Sequence, residues 1–229
     1  MKYVIGNWKS NQNLSQSLMW LDDVKAIKPQ IGSEKKVVVC LPFTDIASFN
    51  QKATELGLDI QAGAQNVSAF PPGKYTGEIN AQMLGELVTF CLVGHYERRT
   101  EFSENSQTIA NKAVLLLENS ITPIICLDKP YIEEQIKSLI SQDVDLSRCL
   151  FVYEPSESIG TGNASNLDDV NHIAHQISFL TDNSSPVLYG GSITPENVKS
   201  FINLTSVSGV LVGSESLSPY HFCEIINIS

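Results

Sequence analysis

Short apolar runs recur along this chain of 229 residues with helix-patterned stretches between them, and that alternation limits the possible folds more than any other feature. The runs are Tyr3–Trp8, Lys36–Leu41, Leu58–Ala62, Thr89–Gly94, Thr122–Leu127, Leu150–Glu154, Pro186–Tyr189 and Gly209–Gly213. Each reads as a buried strand. Helices are read over Leu14–Lys28, Asp45–Leu56, Asn80–Leu87, Asn105–Asn119, Tyr131–Ser141, Leu167–Leu180, Pro195–Phe201 and Pro219–Ile226. Strands alternating with helices, with no hairpin signal between them, pair in parallel, and eight such units favour a closed (β/α)8 barrel of the α/β class. A flavodoxin-like or Rossmann sheet is the alternative, weakened by the lack of GxGxxG after the first run. The chain is shorter than the roughly 250 residues typical of such barrels, so its loops or outer helices should be trimmed. No linker or shift in composition divides residues 1–229, which are read as a single domain.

In parallel α/β folds the chemistry sits at the C-terminal ends of the strands. Phe151-Val152-Tyr153 runs straight into Glu154-Pro155, and Ile159-Gly160-Thr161-Gly162 follows in a loop longer than the connection requires. That loop can offer backbone N–H groups to an anion or close as a lid. Other strand ends carry Asn7 and Lys9, Gly94-His95, Tyr189-Gly190-Gly191-Ser192 and Val212-Gly213-Ser214. Each has a plain structural reading on its own: a surface lysine, a helix-capping histidine, a solvated acid, a glycine turn. In a barrel, however, all five ends converge on one mouth.

The formal charge of −10 argues against nucleic acid or an anionic membrane as partner, because both need a basic footprint. An anionic ligand therefore needs a locally positive site, for which Lys9, helix N-termini and glycine N–H groups are candidates. The five cysteines are scattered, odd in number and free of CxxC pairs, so they read as reduced thiols of a cytoplasmic protein and not as metal ligands. The apolar start is too short for a signal peptide, and no segment has the length of a membrane span.

At this point the residues resemble a known family. Gly6-Asn7-Trp8-Lys9, Gly63-Ala64-Gln65-Asn66, Tyr75-Thr76-Gly77-Glu78-Ile79, Gly94-His95 with Glu97-Arg98-Arg99, Tyr153-Glu154-Pro155, Ile159-Gly160-Thr161-Gly162, Tyr189-Gly190-Gly191-Ser192 and Gly209-Val210-Leu211-Val212-Gly213 are together similar to the triosephosphate isomerases. The motifs run in order from Gly6 towards the C-terminus, and a co-linear set is far more specific than any one member.

The resemblance implies a TIM barrel that interconverts dihydroxyacetone phosphate and glyceraldehyde 3-phosphate by proton transfer through an enediol or enediolate, in glycolysis and gluconeogenesis. Glu154 would be the general base, desolvated when Ile159 and Leu211 press on it. His95, at the positive end of a helix, would be a neutral donor, an assignment that is the family's own. Lys9 would supply fixed positive charge and Asn7 a hydrogen bond to the substrate oxygen, with Glu97 beside Lys9 or merely a first-turn acid. Gly160, Ser192, Gly213 and Ser214 would present backbone N–H groups to the phosphate. No metal or organic cofactor is implied. Residues 66–80 would insert into a second subunit to form a homodimer, with Thr76 approaching the partner near Asn11.

Several positions depart from the family pattern. Tyr96 stands where serine is usual after the histidine, and Ser156-Glu157-Ser158 replaces an apolar lid tip. Leu127-Asp128-Lys129 replaces Val-Gly-Glu, which suggests that Lys129 and Glu157 form an ion pair in place of the usual latch. Ser214 and Glu215 replace small residues at the phosphate loop, and Glu215 is expected to face solvent. These changes leave two other readings open: a phosphate-binding or scaffold protein without turnover, and an isomerase or aldolase-like enzyme for a different phosphorylated sugar.

Overall fold

The computed structural model describes residues 1–158 and 164–229. Within them run the strands β1 (Lys2–Asn7), β2 (Lys35–Leu41), β3 (Gln61–Ala64), β4 (Phe90–Val93), β5 (Thr122–Leu127), β6 (Leu150–Tyr153), β7 (Val187–Tyr189) and β8 (Gly209–Val212). Each pairs in parallel with its neighbour in sequence, and β8 returns to β1 with Tyr3 opposite Gly209 and Gly6 opposite Val212. The α/β alternation therefore resolves as a closed (β/α)8 TIM barrel and not an open sheet. Closure demands a glycine at 209, where a Cβ would run into the Tyr3 carbonyl oxygen.

Strand parity divides the buried residues into two cores. Side chains two apart face the same way, so Ile5, Val38 and Cys40, Phe90 and Leu92, Ile124 and Cys126, Leu150 and Val152, Leu188 and Leu211 fill the barrel interior. The intervening residues, such as Val4, Val37, Val39, Phe151 and Tyr153, pack outward against the helices. Deleting one such buried side chain costs about 2–5 kcal/mol in a typical core.

The outer ring comprises α1 (Leu14–Ile27), α2 (Ile46–Leu56), α3 (Ala81–Gly85), α4 (Tyr96–Glu101), α5 (Ser106–Glu118), α6 (Ile132–Ser141), α7 (Leu167–Leu180), α8 (Val198–Ile202) and α9 (Pro219–Ile228). Asparagine side chains begin several of them: Asn13 accepts from Gln16 N, Asn80 from Met83 N and Asn105 from Thr108 N. Gly57 ends α2 in the left-handed conformation at φ 63°. Trp8 lies edge-on to Trp20 with ring centroids 5.2 Å apart, and its indole N–H donates to the Ser216 carbonyl at 3.0 Å. The end of β1 is thereby tied to α1 and to the 3-10 turn over Ser214–Leu217.

Apart from shifts of a few residues at element ends, three elements differ from the sequence reading, among them α4, which that reading did not include. β3 occupies Gln61–Ala64 instead of Leu58–Ala62, because ladder pairing begins where Gln61 meets Val38 and the more apolar Leu58 and Ile60 pack outside the sheet. The short α4 follows the capping histidine without the apolar periodicity that would have given its length. α8 starts at Val198 and not Pro195, because Thr194 N bonds the Asn197 side chain in a turn before the helix.

Candidate active site

The inward alternation continues past the rim. One step beyond Ile5, Val152, Leu188 and Leu211 come Asn7, Glu154, Gly190 and Gly213, and all four line a single cavity at the barrel mouth. Lys9, His95, Ser192 and Ser214 share that cavity, whose volume is about 150 Å³. It is smaller than the roughly 300–1,000 Å³ of pockets that take drug-sized ligands, so it suits a molecule of few heavy atoms. Gly160 and Ile159, also singled out in the sequence, lie outside the described residues.

Lys9 is set by the chain around it. Its backbone is left-handed at φ 51°, a conformation costing a non-glycine residue about 1–3 kcal/mol. Asn7 Oδ1 accepts from Lys9 N at 3.0 Å, and the Gln65 amide donates to the Lys9 carbonyl at 2.8 Å and to Cys40 O at 3.0 Å. The ammonium is held by Glu97 Oε1 at 2.6 Å. Asn7 lines the cavity, and with its Oδ1 engaged by Lys9 N its side chain has amide N–H groups left to donate.

His95 is buried at the start of α4, where its Nδ1 accepts the Glu97 N–H at 3.3 Å. An accepting Nδ1 requires the proton on Nε2, and Nε2 lies 3.4 Å from Glu154 Oε1. Glu154 is 4% exposed, and its Oε2 is buried with no hydrogen-bond partner among the described residues. Beneath it, burial and then the Glu154 charge push the Cys126 thiol well above its ordinary range. Gly190 makes room for the base: a Cβ there would lie 2.8 Å from Glu154 Cγ.

The ends of the β6–α7 connection are fastened to the loop after β7. Ser165 N donates to the Tyr189 hydroxyl at 2.9 Å, and the Ser192 hydroxyl donates to the Ser158 carbonyl. Ser192 itself is left-handed at φ 46°. Asp128 Oδ2 accepts from Ser156 N at 3.1 Å. The anticipated Lys129–Glu157 pair is not formed. Lys129 instead bonds Asp169 at 2.8 Å in the first turn of α7, which raises its ammonium above the ordinary value, and Glu157 acts on it only as a weaker, more distant charge. Glu157 is exposed and does not line the cavity.

At the opposite wall, Ser214 has negative φ and begins the 3-10 turn. Glu215 does not turn wholly to solvent as anticipated. It lines the cavity, and its Oε2 lies 2.6 Å from Nδ1 of His221, because the turn and α9 bring the two together. Sequence reasoning also gave no role to Gln65, Asp128 or His221. Gln65 was within reach, being the next inward position of β3 after Gly63; Asp128 and His221 carry no local signal. Among the described residues no group of three or more His, Cys, Asp or Glu side chains is placed to hold a metal ion.

The chain is also similar to known proteins over nearly its whole length. The family model described as triosephosphate isomerase matches residues 2–229. The chain is 32% identical over 242 residues to the triosephosphate isomerase of Mesomycoplasma hyorhinis, covering 99% of this chain and 98% of that protein. It is 34% identical over 236 residues to that of Nostoc sp., covering 98% and 97%. Against that of Natranaerobius thermophilus it is 33% identical over 247 residues, covering 99% and 95%.

Proposed function

Because the chain belongs to the triosephosphate isomerase family and is an isomerase of triose phosphates, we propose that it interconverts dihydroxyacetone phosphate and D-glyceraldehyde 3-phosphate at this cavity by general-base proton transfer. The observation that carries the reading is the buried, unpartnered Glu154 oxygen beside the Nε2–H of His95. A buried carboxylate oxygen without a donor costs free energy, and a proton acceptor facing a cavity is a use that accounts for it.

In this reading Glu154 removes a proton from the carbon beside the substrate carbonyl and returns it to the neighbouring carbon. The negative charge that develops on oxygen is met by His95 Nε2–H, the Asn7 amide and the Lys9 ammonium. Ser192, Gly213 and Ser214 receive the phosphate. The first N–H groups of the 3-10 turn have no partner within it, which supports that role. Gly160 completes the set by family resemblance alone. The chemistry as proposed requires no cofactor.

We assign the enzyme to glycolysis and gluconeogenesis, and to the cytoplasm on its five buried, unpaired cysteines. No helix among the described residues is long and apolar enough to cross a membrane. A homodimer through residues 66–80 is supported by exposed Phe70 and Tyr75, stacked with centroids 4.5 Å apart. Beneath them the loop is anchored by the bond from buried Lys112 to Asn66 at 2.7 Å. Sedimentation equilibrium of the wild type and of Tyr75→Asp tests it: a dimer converted to monomer is the supporting outcome.

The deciding experiment is steady-state conversion of glyceraldehyde 3-phosphate, coupled to a glycerol-phosphate dehydrogenase, for wild type and Glu154→Gln. Turnover abolished by the substitution supports the reading. No turnover in the wild type, with a phosphate-bearing analogue still bound, would leave a binding protein instead.

A further inference from the structure

Glu215 is an acid at the wall of a cavity read as the site of a phosphate. Resting on that reading, we propose that Glu215 and His221 form a charge pair that sets the affinity of the site for its anionic substrate: Glu215 repels the phosphate unless the imidazolium of His221 neutralises it.

Glu215 stands next to Ser214 and shares the cavity with Ser192 and Gly213, which is where the substrate's negative charge would lie. Its carboxylate is partly shielded, with the side chain 33% exposed, so its field is not lost to bulk water. His221 is half open to solvent on α9 and reaches Glu215 Oε2 with Nδ1 at 2.6 Å. The ring can therefore take up or release a proton without unfolding anything.

The other charges around the ring can be named. Glu196, from the loop before α8, acts on it: a hydrogen bond from Thr194 chiefly holds the Glu196 carboxyl below its ordinary range, with a smaller contribution from His221. Glu224 lies one turn along α9. Among the described residues no acid of α1 or β1 forms an ion pair with the ring, Asp22 of α1 being bonded to Lys52. Lys9 shares the cavity but is engaged by Glu97.

Histidine is the side chain whose charge changes between about pH 5 and pH 8. With the ring protonated the Glu215–His221 pair is neutral, and with the ring neutral it carries a net negative charge beside a substrate that is itself anionic. The consequence falls on KM and not on kcat, since a charge beside the phosphate acts equally on bound substrate and transition state. One unit charge a few ångströms from another at a partly exposed site changes affinity by about three- to tenfold.

The test is the pH profile of KM and kcat for wild type, Glu215→Gln and His221→Gln, from pH 5.5 to 8.5 at constant ionic strength. The substrate phosphate titrates in the same range, but it does so in every variant and cancels in ratios. The expected result is a ratio of KM, wild type to the Glu215→Gln, His221→Gln double variant, near one at pH 5.5 and rising about three- to tenfold by pH 8.5, with kcat within twofold. His221→Gln should have the raised KM already at pH 5.5, and Glu215→Gln, which leaves an unpaired imidazolium, should lie below the double variant at pH 5.5 and match it at pH 8.5. Inorganic phosphate as competitive inhibitor should follow the same pattern in Ki. A ratio that stays flat with pH, or an effect confined to kcat, would overturn the pair. An inactive wild type would instead overturn the isomerase reading beneath it.

Discussion

Nε2 of His95 lies 3.4 Å from Oε1 of Glu154, and the Glu97 N–H fixes which nitrogen carries the proton. A donor and an acceptor therefore face the same space from different strands of one barrel. If Glu154 is the base, Glu154→Gln lowers kcat by about 10²–10⁴-fold, the usual worth of general-base catalysis, with little change in the affinity for a phosphate-bearing inhibitor. Glu154→Asp retracts the carboxylate by one methylene and should also lose about 10² in kcat. Near-normal turnover in either variant would remove the assignment.

Gly190 contributes absence of bulk. A methyl group there would lie 2.8 Å from Glu154 Cγ and 3.0 Å from Val152 Cγ1, and Val152 is fixed in the barrel interior. Gly190→Ala should therefore displace Glu154 and cut kcat by about 10², the cost of misplacing a catalytic group by an ångström. Kinetics and thermal melting together check this, since the melting temperature should fall far less than the activity. Unchanged kcat would mean that the carboxylate has slack in its position.

Lys9 is held at both ends, by Gln65 at its carbonyl and by Glu97 at its ammonium. If the Lys9 charge acts on bound substrate and developing oxyanion alike, Lys9→Met should raise KM and lower kcat together. Gln65→Leu retains the charge but releases the backbone, and its loss should be smaller, about tenfold in kcat/KM. Equal losses in the two variants would show that position matters as much as charge.

The pairing of Lys129 with Asp169 replaces the latch suggested by the sequence. Both partners are well exposed, so the pair contributes only about 0.2–1 kcal/mol to stability. A double-mutant cycle in urea on Lys129→Ala and Asp169→Ala should return a coupling of that size. The same cycle on Lys129→Ala and Glu157→Ala should return none, in stability or in turnover.

Burial raises the thiols of Cys149 and Cys223 to about 12 and pushes those of Cys40 and Cys126 well up. Above about pH 9 the unfolded thiols ionise while the folded ones stay protonated, so the unfolded chain binds fewer protons and stability falls with rising pH. The slope is at most about 1.4 kcal/mol per pH unit for each thiol. Urea midpoints between pH 8 and 10.5 should decline, and less steeply in Cys149→Ala with Cys223→Ala. Equal slopes would assign the decline to other groups, such as the buried tyrosines.

The alternation of short strands with helices, and the parity within each strand, are local properties, and local properties are legible in a sequence. They sufficed for the α/β alternation and for placing Asn7 and Glu154 at the C-terminal ends of their strands. Where a strand was weakly apolar, as at Gln61–Ala64, or a helix too short for periodicity, as at Tyr96–Glu101, that signal failed. Closure of the sheet was decided only in three dimensions, where Gly209 lets β8 lie against Tyr3. So were the partners of charged side chains: Lys129 finds Asp169 across 40 positions, and Gln65 holds Lys9 across 56. A long charged side chain can reach several partners of similar energy, and the choice among them falls to the packing that brings distant elements together. The turn of Glu215 towards His221 is the same kind of decision, made by the packing of α9 beside the barrel mouth.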